Sequence, residues 1–569
     1  MAALEEQLFA SGLPVEALME KAALAITAEL RCSPWWRQLR QRGALVLVGP
    51  GHNGGDGLVV ARELQLAGIA VRIWSPFERH KPLTAAHWRH ARWLGIPTLE
   101  QPPDPADPTV WLDALFGIGH SRPLEEPVGA LLQARGRQGA DGLIAIDVPS
   151  GLCADSGRPL GDGCARAALT CCIGLIKQGL VQDDALAWVG QLQRIDLGLP
   201  ASLLATLPSR QPLLLQADDQ GSIPWPAPPA AAGKYARGRL LVVAGSDAYR
   251  GAAALCLQGA SASGCGSLRA VLPEAMAAQL WQSLPHVVVS AGLGSHAAGA
   301  LQLESLPASA VERLDALVLG PGLGMDPELG AEREADQRAD RRAEAIWEAI
   351  QQLPALLLLD ADGLNRLARM GTASAWLRGR RGPTWITPHA DEFHRLFPDL
   401  EGQPPLQAAA AAAERSGACV LLKGARSVIA APDGRRWQLA WAHPAAARAG
   451  LGDVLAGYAG GRGAIALAAG APADGALLAS AALEHAQAAD QAVRTEGSGG
   501  ATPMAVAAAL ATGACNTNIR NRMSNRNATI EATTRSWSSS ALDSLSGNQQ
   551  EPLSDLDFDT QMCGFTAQC

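Results

Sequence analysis

The sequence has no surplus of positive charge and no block of basic residues. Lysine and arginine number 47 against 55 aspartates and glutamates, which gives a formal net charge of −8. Proteins that bind nucleic acid or an acidic membrane surface carry basic patches that neutralise phosphate. We therefore expect neither nucleic acid nor a membrane among the partners of this chain.

Long apolar runs and paired cysteine motifs are also missing. A transmembrane helix needs a run of about 18 uncharged apolar residues, and the sequence contains none. The first residues are acidic, whereas a signal peptide begins with basic residues. The 11 cysteines are odd in number and scattered, without a CxxC pair. A disulfide framework and a zinc site are therefore not indicated. We expect a soluble protein of the reducing cytoplasm.

Aromatic residues are few, at 4% of the chain, whereas glycine is abundant with 60 residues. This composition suits α/β architecture, in which closely packed helices cover parallel strands. The 569 residues exceed what one hydrophobic core usually covers. A proline-rich stretch at residues 224–229, which has little to bury, marks the junction. We predict a first domain at 1–212, a linker at 213–232, a second domain at 233–513 and a disordered tail at 514–569.

In the first half, a strand pattern at residues 44–50 runs into a glycine-rich loop at 51–57 and then a helix from Leu58 to Ala67. A loop between strand and helix can hold phosphate or ribose on its backbone N–H groups. The loop has no lysine and lacks GxGxxG spacing, which excludes two common nucleotide motifs. A tight turn is the structural alternative, but Asn53 and Asp56 among the glycines favour a ligand role.

Two further strand patterns, at residues 110–119 and 143–151, end in polar residues. Because parallel strands present their carboxyl ends at one edge of a sheet, we expect Asp113, Asp147 and Ser150 to converge there with Asn53 and Asp56. Oxygen donors without a histidine or cysteine cluster suit a hard cation. Each aspartate could instead be an ordinary helix cap.

These motifs, at residues 51–57, 113–119, 147–151 and 177–179, resemble those of the NAD(P)H-hydrate epimerase family, and the similarity spans roughly residues 4–198. The resemblance implies a Rossmann-like three-layer sandwich that interconverts the R and S forms of hydrated NADH and NADPH (NADHX and NADPHX) and binds K⁺. It implies K⁺ ligands at Asn53, Asp113 and Ser150 and catalysis by Asp147. It implies a substrate pocket made of His52, Asn53, Gly54, Gly55, Asp56, Gly117, Ile118, Gly119, His120, Ser121, Arg122, Pro123 and Asp147.

Two positions of this first half carry a further question. His52 stands where the family has asparagine, and an imidazole also donates and accepts hydrogen bonds. Lys177 matches the last motif, where it would neutralise a substrate phosphate, although a solvated loop lysine is an equal alternative.

The second half repeats the pattern of strands that end in glycine, aspartate, histidine or lysine, at residues 239–246, 316–324, 356–362, 385–389 and 420–424. This order predicts another open α/β sheet with a polar edge. Near its end, residues 449–457 place glycines and Asp453 at the start of an apolar helix. Such a loop can bind phosphate, with the carboxylate as a base for a substrate hydroxyl. A glycine turn with Asp453 as helix cap is the alternative.

The motifs of this half, across roughly residues 233–490, resemble those of the ADP- or ATP-dependent NAD(P)H-hydrate dehydratases, relatives of the ribokinase superfamily. The motifs are AGSxxxxGAA, LGPGLG, LDADGLN, TPHxxE, LLKGA and AGLGDVLAG. The resemblance implies a ribokinase-like α/β domain that uses Mg²⁺ with ADP, or possibly ATP. It implies substrate contacts at Ala252, Gly322, His389 and Asp453 and nucleotide contacts at Lys423, Gly424, Ala425, Arg426, Ser427 and Gly452.

Several residues of the second half leave their roles open. Glu392 could orient Mg²⁺ through water or be a surface glutamate, and Arg426 could simply be solvated. His443, Arg448 and Leu451 differ from the residues that the resemblance leads us to expect.

Both resemblances together imply a bifunctional repair enzyme, expected as a homo-oligomer, whose dehydratase consumes the epimer that the epimerase supplies. Asp453 would deprotonate the hydroxyl of the hydrate, the nucleotide would phosphorylate it, and loss of phosphate would restore the nicotinamide ring. The alternative is a ribokinase-like small-molecule kinase joined to a Rossmann-like binding domain without catalysis.

Overall fold

The computed structural model describes residues 1–138, 142–208, 210–221, 225–226, 233–296, 299–325 and 345–513. The predicted tail at 514–569 lies outside these residues. Two open sheets with helices on both faces make up the described chain, which confirms the predicted α/β class. Within the described residues, no helical segment has both the length and the apolar character needed to span a bilayer.

The first sheet has seven parallel strands in the order β3-β2-β1-β4-β5-β6-β7. Its strands are β1 Ala44–Val48, β2 Val71–Trp74, β3 Thr98–Leu99, β4 Val110–Ala114, β5 Leu143–Ile146, β6 Leu169–Ile173 and β7 Gln191–Ile195. The helices of this half are α1 Ala2–Ala10, α2 Val15–Cys32, α3 Trp35–Arg42, α4 His52–Leu66, α5 Pro82–Trp93, α6 Val128–Arg137, α7 Leu186–Val189 and α8 Ala201–Leu204.

The central strands of this sheet are buried on both faces, as their continuous apolar sequences predict. In β1, Val46 packs in one apolar core and its neighbour Leu45 packs in the other. In β5, Ile144 and Ala145 are divided between the two cores in the same way. Side chains of a strand alternate between faces, so each strand contributes to both cores. The result is the predicted three-layer arrangement.

The second sheet has ten strands in the order β11-β10-β9-β12-β13-β14-β15-β16-β17-β8. They are β8 Leu213–Leu215, β9 Arg239–Val243, β10 Ser267–Pro273, β11 Val288–Leu293, β12 Ala316–Leu319, β13 Leu356–Leu359, β14 Thr384–Ile386, β15 Cys419–Leu422, β16 Val428–Ala430 and β17 Arg436–Leu439. The strands from β11 to β15 are parallel, β16 is antiparallel to both neighbours, and β8 runs parallel to β17.

The helices of the second half cover both faces of this sheet, with apolar cores on either side. They are α9 Arg250–Ala262, α10 Glu274–Ala277, α11 Ala308–Val311, α12 at residues 345–352, α13 Asp362–Arg369, α14 Ala373–Arg378, α15 Ala390–Leu396, α16 Pro405–Ser416, α17 Leu451–Ala468, α18 Gly475–Glu496 and α19 at residues 503–513.

The helix that follows β1 begins earlier than expected. We predicted a loop at residues 51–57 and a helix from Leu58, but α4 begins at His52. The glycines serve close packing inside the helix, because a Cβ on Gly54 would lie 2.1 Å from Gly49 O and one on Gly57 would lie 2.4 Å from Ala114 Cβ. The intrinsic cost of glycine in a helix is accepted where no larger residue fits.

The segment predicted to be a linker takes part in the second half. Leu213–Leu215 form the edge strand β8, whose partner is β17. Trp225 donates a 2.8 Å hydrogen bond to Glu484, and the Arg462 guanidinium lies 4.0 Å from the centre of its ring. The expectation that this stretch has little to bury was therefore wrong at Trp225.

Helices α9 and α17 cross in direct backbone contact. A Cβ on Gly259 would lie 2.1 Å from Val454 O, and one on Gly457 would lie 1.8 Å from Cys256 O. Because no side chain separates the two helices there, the first turn of α17, which carries Asp453, is fixed against the part of α9 from Cys256 to Gly259.

Candidate active sites

A cavity of about 590 Å³ opens at the carboxyl edge of the first sheet. It lies between α1, the first half of α2, the start of α4 and the segment that follows β4. Most of the residues predicted to bind substrate line it: His52, Asn53, Asp56, Gly117, Ile118, Gly119, His120, Ser121, Arg122 and Asp147. The structure therefore brings together side chains from three separate motifs.

Asp147, the predicted catalytic residue, directly follows β5 in a strained backbone conformation. Its φ is 71°, in the left-handed region that non-glycine residues rarely adopt. Strain of this kind costs about 1–3 kcal/mol and is concentrated at functional sites. The carboxylate accepts hydrogen bonds from Lys177 Nζ and, at 3.2 Å, from Ile173 N.

Lys177 is not a solvated lysine, because its side chain is only 7% exposed. Its ammonium contacts Asp147 and donates a 2.6 Å hydrogen bond to Ile173 O. Burial opposes its charge, but Asp147 and then Cys172 together more than offset this and raise the pKa of Lys177. The ammonium therefore serves as the counter-charge of Asp147, whereas we had weighed a contact with substrate phosphate.

Of the three residues predicted to ligate K⁺, Asn53 lines the cavity, whereas Asp113 and Ser150 are not among the lining residues. Asp113 is fully buried and accepts hydrogen bonds from Ser150 N at 2.8 Å, Ser150 Oγ at 2.7 Å and Leu115 N at 3.2 Å. Asn53 adjoins the same loop, since a Cβ on Gly117 would lie 3.6 Å from Asn53 Oδ1. The Asn53 Nδ2 group is buried and has no hydrogen-bond partner among the described residues.

This donor set fits a hard cation. It offers an amide oxygen, a carboxylate and a hydroxyl, which are the ligand types that hard cations prefer. Burial raises the pKa of Asp113, although the hydrogen bonds from Ser150 and Leu115 lower it in part. A cation at this place would supply the positive charge that a buried carboxylate requires.

Glu5 of α1 is a pocket residue that the sequence did not reveal. It lines the cavity together with Asp56 and Asp147. The pKa of Glu5 is raised, first by burial and then by the charge of Asp147. The pKa of Asp56 is raised well above its usual range by burial and by the charges of Asp147 and Glu5. No motif marks Glu5, because only the position of α1 over the sheet edge brings it to the site.

Three predicted pocket residues are not among those lining the cavity. A Cβ on Gly54 or Gly55 would collide with Gly49 O or with the Met19 side chain, so both glycines serve packing. Pro123 lies outside the cavity and packs beside Gly161.

At the carboxyl edge of the second sheet, Lys423 and Asp360 form the central ion pair. Lys423 follows β15 and donates a 2.7 Å hydrogen bond to Asp360, which follows β13. Asp360 also accepts a 2.9 Å hydrogen bond from Thr387 Oγ1. Burial opposes the charge of Lys423, but Asp360 and then Glu392 raise its pKa. Asp360 was part of a recognised motif, yet we had given it no role.

Asp453 lies in the first turn of α17, beside this ion pair. The helix begins after Gly450 without a side-chain cap, so the alternative that Asp453 caps the helix was wrong. Burial, and next the charge of Asp360, raises the pKa of Asp453 to about 7. A carboxylate with this pKa is suited to general base catalysis near neutral pH.

Gly452 lies next to the same groups. A Cβ at this position would lie 3.4 Å from Lys423 Nζ and 4.0 Å from Asp360 Oδ2. Residues from two strand ends and one helix start therefore meet at this edge of the sheet, as the strand order predicts.

His389 and Glu392 form a local cap at the start of α15. His389 N donates to Glu392 Oε2 at 2.9 Å, and His389 Nε2 lies 3.2 Å from Glu392 Oε1. The Glu392 side chain is only 5% exposed, which excludes the surface alternative. That Glu392 orients Mg²⁺ through water stays a prediction.

The loop predicted to hold the nucleotide is partly exposed. Gly424 and Ala425 are exposed, and Ser427 Oγ accepts a 3.4 Å hydrogen bond from Gly424 N. Arg426, by contrast, is buried and donates a 2.9 Å hydrogen bond to Leu180 O of the first half. The alternative that Arg426 is solvated was wrong.

Two other predicted substrate contacts meet at the start of α9. A Cβ on Gly322, whose φ is +65°, would lie 2.7 Å from Ala252 Cβ.

The three unexpected residues before and within α17 have structural partners. His443 Nδ1 accepts a hydrogen bond from Ala445 N, Arg448 donates to Gly499 O, and Leu451 is buried in the apolar core.

Comparison with known proteins accounts for both halves. A family described as NAD(P)H-hydrate dehydratase matches residues 240–512, and one described as YjeF-related protein N-terminus matches residues 15–179. A curated relative from Gloeobacter violaceus, the bifunctional NAD(P)H-hydrate repair enzyme Nnr, is 42% identical, covering 80% of this chain and 86% of its own. The chain belongs to the bifunctional NAD(P)H-hydrate repair enzyme family.

Two solved structures are similar to about half of the chain. A ribokinase-like superfamily protein from Enterococcus faecalis is 22% identical with a TM-score of 0.42, covering 53% of this chain and 94% of its own. The ADP/ATP-dependent NAD(P)H-hydrate dehydratase from Bacillus subtilis, co-crystallised with ATP and Mg²⁺, is 24% identical with a TM-score of 0.40, covering 53% and 97%. The family predicted from the motifs is confirmed by the two family models and by the curated relatives.

Proposed function

We propose that the chain repairs hydrated nicotinamide cofactors in two steps, at two sites. The first domain, residues 1–212, interconverts the R and S forms of NADHX and NADPHX. The second domain, residues 233–513, dehydrates the S form while ADP is converted to AMP and phosphate. The observation that carries this proposal is Asp453, a carboxylate whose pKa is raised to about 7 beside the Lys423–Asp360 pair.

In the second domain, Asp453 removes the proton from the hydroxyl of the hydrate. The hydroxyl oxygen then forms a bond to the terminal phosphorus of the nucleotide, and the bond from that phosphorus to AMP breaks. Loss of phosphate takes the oxygen away from the ring, and loss of a ring proton restores the double bond. Phosphate leaves more readily than hydroxide, which is the purpose of the transfer.

The nucleotide lies against the exposed turn at Gly424 and Ala425 and against Gly452, and the hydrate lies toward Gly322, Ala252 and His389. The Lys423 ammonium contacts Asp360 and lies beside Gly452, where it can exchange part of its contact with Asp360 for a phosphate oxygen. Magnesium, when bound with the nucleotide, neutralises charge on the transferred phosphoryl group.

In the first domain, Asp147 transfers the proton during epimerisation, and Lys177 holds its carboxylate in place. Asn53, Asp113 and Ser150 would hold K⁺, which supplies a fixed positive charge. The acidic neighbours Glu5 and Asp56 line the same cavity and are positioned to share protons with Asp147.

The partners and location follow from the same proposal. ADP is the donor, ATP being the second candidate, and the chain forms a homo-oligomer in the cytoplasm. The cysteines in the described part of the chain are free thiols, which suits a reducing compartment. Light scattering of the purified protein at two concentrations tests the oligomer.

A small-molecule kinase with a non-catalytic first domain is the second candidate, because the second sheet also resembles ribokinase-like proteins. The two proposals differ in their products. Purified protein is incubated with mixed NADH hydrates and either ADP or ATP while NADH absorbance and inorganic phosphate are followed. A repair enzyme releases NADH and inorganic phosphate in equal amounts and consumes the R and S epimers alike. A stable phosphorylated product would instead support the kinase.

A further inference from the structure

Two side chains of the second domain hold one turn of the first domain. Arg426 donates a 2.9 Å hydrogen bond to Leu180 O, and Gln438 Nε2 donates a 2.8 Å hydrogen bond to Val181 O. Both side chains belong to residues that are almost fully buried, 7% and 4% exposed. Gln438 also accepts a 3.3 Å hydrogen bond from Gln182, so the turn is held at three consecutive residues.

This turn, Gln178–Val181, directly continues from Lys177. Leu180 N donates a 3.1 Å hydrogen bond back to Lys177 O, which ties the lysine backbone to the turn. The Lys177 ammonium contacts Asp147 at the other end of a side chain with four rotatable bonds. The place of the ammonium therefore depends on where the turn holds the Lys177 backbone.

We propose that Arg426, together with Gln438, is a positioning residue for epimerisation although it belongs to the second domain. The inference rests on the proposed roles of Asp147 and Lys177 in the first-domain cavity. Arg426 does not line that cavity. It acts by fixing the turn and, through the turn, the Lys177 ammonium against Asp147.

The link also joins the two sites, because Arg426 is part of the turn proposed to hold the nucleotide. A buried guanidinium that loses its carbonyl partner is left with an unsatisfied donor. The 423–427 turn and the 178–181 turn are therefore expected to move together. Any free energy by which nucleotide binding changes the affinity of the first cavity for its substrate must act equally in the other direction.

The test compares full-length variants for epimerisation and, separately, for dehydration of the purified S epimer. Arg426→Met and Gln438→Met each remove one donor while keeping an unbranched side chain. Arg436→Met is the matched control, since Arg436 also donates to a backbone carbonyl, Arg210 O at 2.7 Å, away from the turn. We expect the first two to lower kcat of epimerisation about tenfold with little change in KM, less than the roughly hundredfold cost of a 1 Å displacement.

Arg436→Met should leave epimerisation unchanged, and Arg426→Lys should recover part of the rate that Arg426→Met loses. A double-mutant cycle with Lys177→Met distinguishes positioning from general destabilisation. If Arg426 acts through Lys177, then Arg426→Met has no further effect once Lys177 is removed. The inference is overturned if the losses of rate caused by Arg426→Met and Lys177→Met simply add. It is also overturned if Arg426→Met lowers the rate no more than the control Arg436→Met does.

The two proposals fail differently. If Lys177→Met alone leaves epimerisation intact, the proposed first-domain site is wrong. If Lys177→Met lowers the rate but Arg426→Met and Gln438→Met do not, only the positioning role is wrong. Should Arg426→Met fail to fold, the Arg426→Lys and Gln438→Met variants still decide the outcome.

Discussion

Lys423 and Asp360 are joined by a 2.7 Å hydrogen bond that connects the carboxyl ends of β15 and β13. The pair lies beside Asp453, and its two members act on that residue in opposite directions. Burial is the largest cause of the raised pKa of Asp453, and the charge of Asp360 is the second. The charge of Lys423 lowers the same pKa. Burial and the ion pair together therefore set the pH range in which the proposed base is ionised.

Replacement of the proposed base should abolish dehydration. We expect Asp453→Asn to lower the rate with the S epimer by at least about a hundredfold, the usual contribution of a general base. In the wild type the base must be ionised, so kcat/KM should fall as pH drops below about 7, the pKa that the structure gives Asp453. If kcat/KM of wild-type dehydration did not depend on pH between 5.5 and 8.5, this role of Asp453 would be wrong. Epimerisation by the Asp453→Asn variant is the control, because it shows that the variant is folded.

Removal of the lysine should move this pH profile. Lys423→Met takes away a positive charge that lowers the pKa of Asp453, so the acid limb should shift to higher pH. The nucleotide KM should rise in the same variant because a phosphate contact is lost. Lys234→Met, which removes a lysine outside both proposed sites, is the matched control and should change neither quantity.

The division of labour between the domains predicts that Asp147→Ala abolishes epimerisation while dehydration of the purified S epimer continues. The measurement starts from separated R and S epimers, with NADH recovery followed in each. Wild-type protein should recover NADH from both, and the variant from S alone. If both activities were lost in a variant with the wild-type melting temperature, the two-site division would be wrong.

The proposed K⁺ ligands predict a cation effect confined to one activity. We expect wild-type epimerisation to be faster in KCl than in NaCl at equal ionic strength, and Ser150→Ala to lose most of this difference. Loss of the Ser150 hydroxyl also removes a hydrogen bond to Asp113, so the overall rate should fall. Dehydration by the same samples is the internal control and should not depend on the Ser150 substitution.

The contact between α9 and α17 gives a test of stability. A methyl group on Gly259 would lie 2.1 Å from Val454 O, so Gly259→Ala must separate the helices and should destabilise by about 1–3 kcal/mol, as overpacking does. Gly251 lies in the same helix with open space around its Cβ position. Gly251→Ala should therefore be neutral or slightly stabilising, and thermal melting of both variants checks the difference.

Much of both active sites could be predicted from strand ends. Continuous apolar runs such as residues 356–359 identify buried parallel strands, and parallel strands bring their following residues to one edge. For this reason Asp113, Asp147 and Ser150 were expected together, and so were Lys423 and Asp453. Family motifs added roles that spacing alone could not supply.

What could not be predicted depends on packing between distant segments. Glycines in the first turn of α4 indicate a loop by local propensity, yet contacts with Gly49 and Ala114 require them inside a helix. Glu5 reaches the first site only because α1 lies over it. Arg426 looked like a nucleotide ligand or a solvated residue, and only the assembled chain reveals its contact with Leu180.

The strand β8 bears on how the two activities could be separated by gene fission or proteolysis. It comes from the chain that leaves the first domain, yet it covers the edge of β17, and Trp225 further along is bound to Glu484. A break between residues 216 and 224 would leave β17 with unpaired backbone groups, a template for aggregation. An independent dehydratase cut from this protein would have to begin before Leu213.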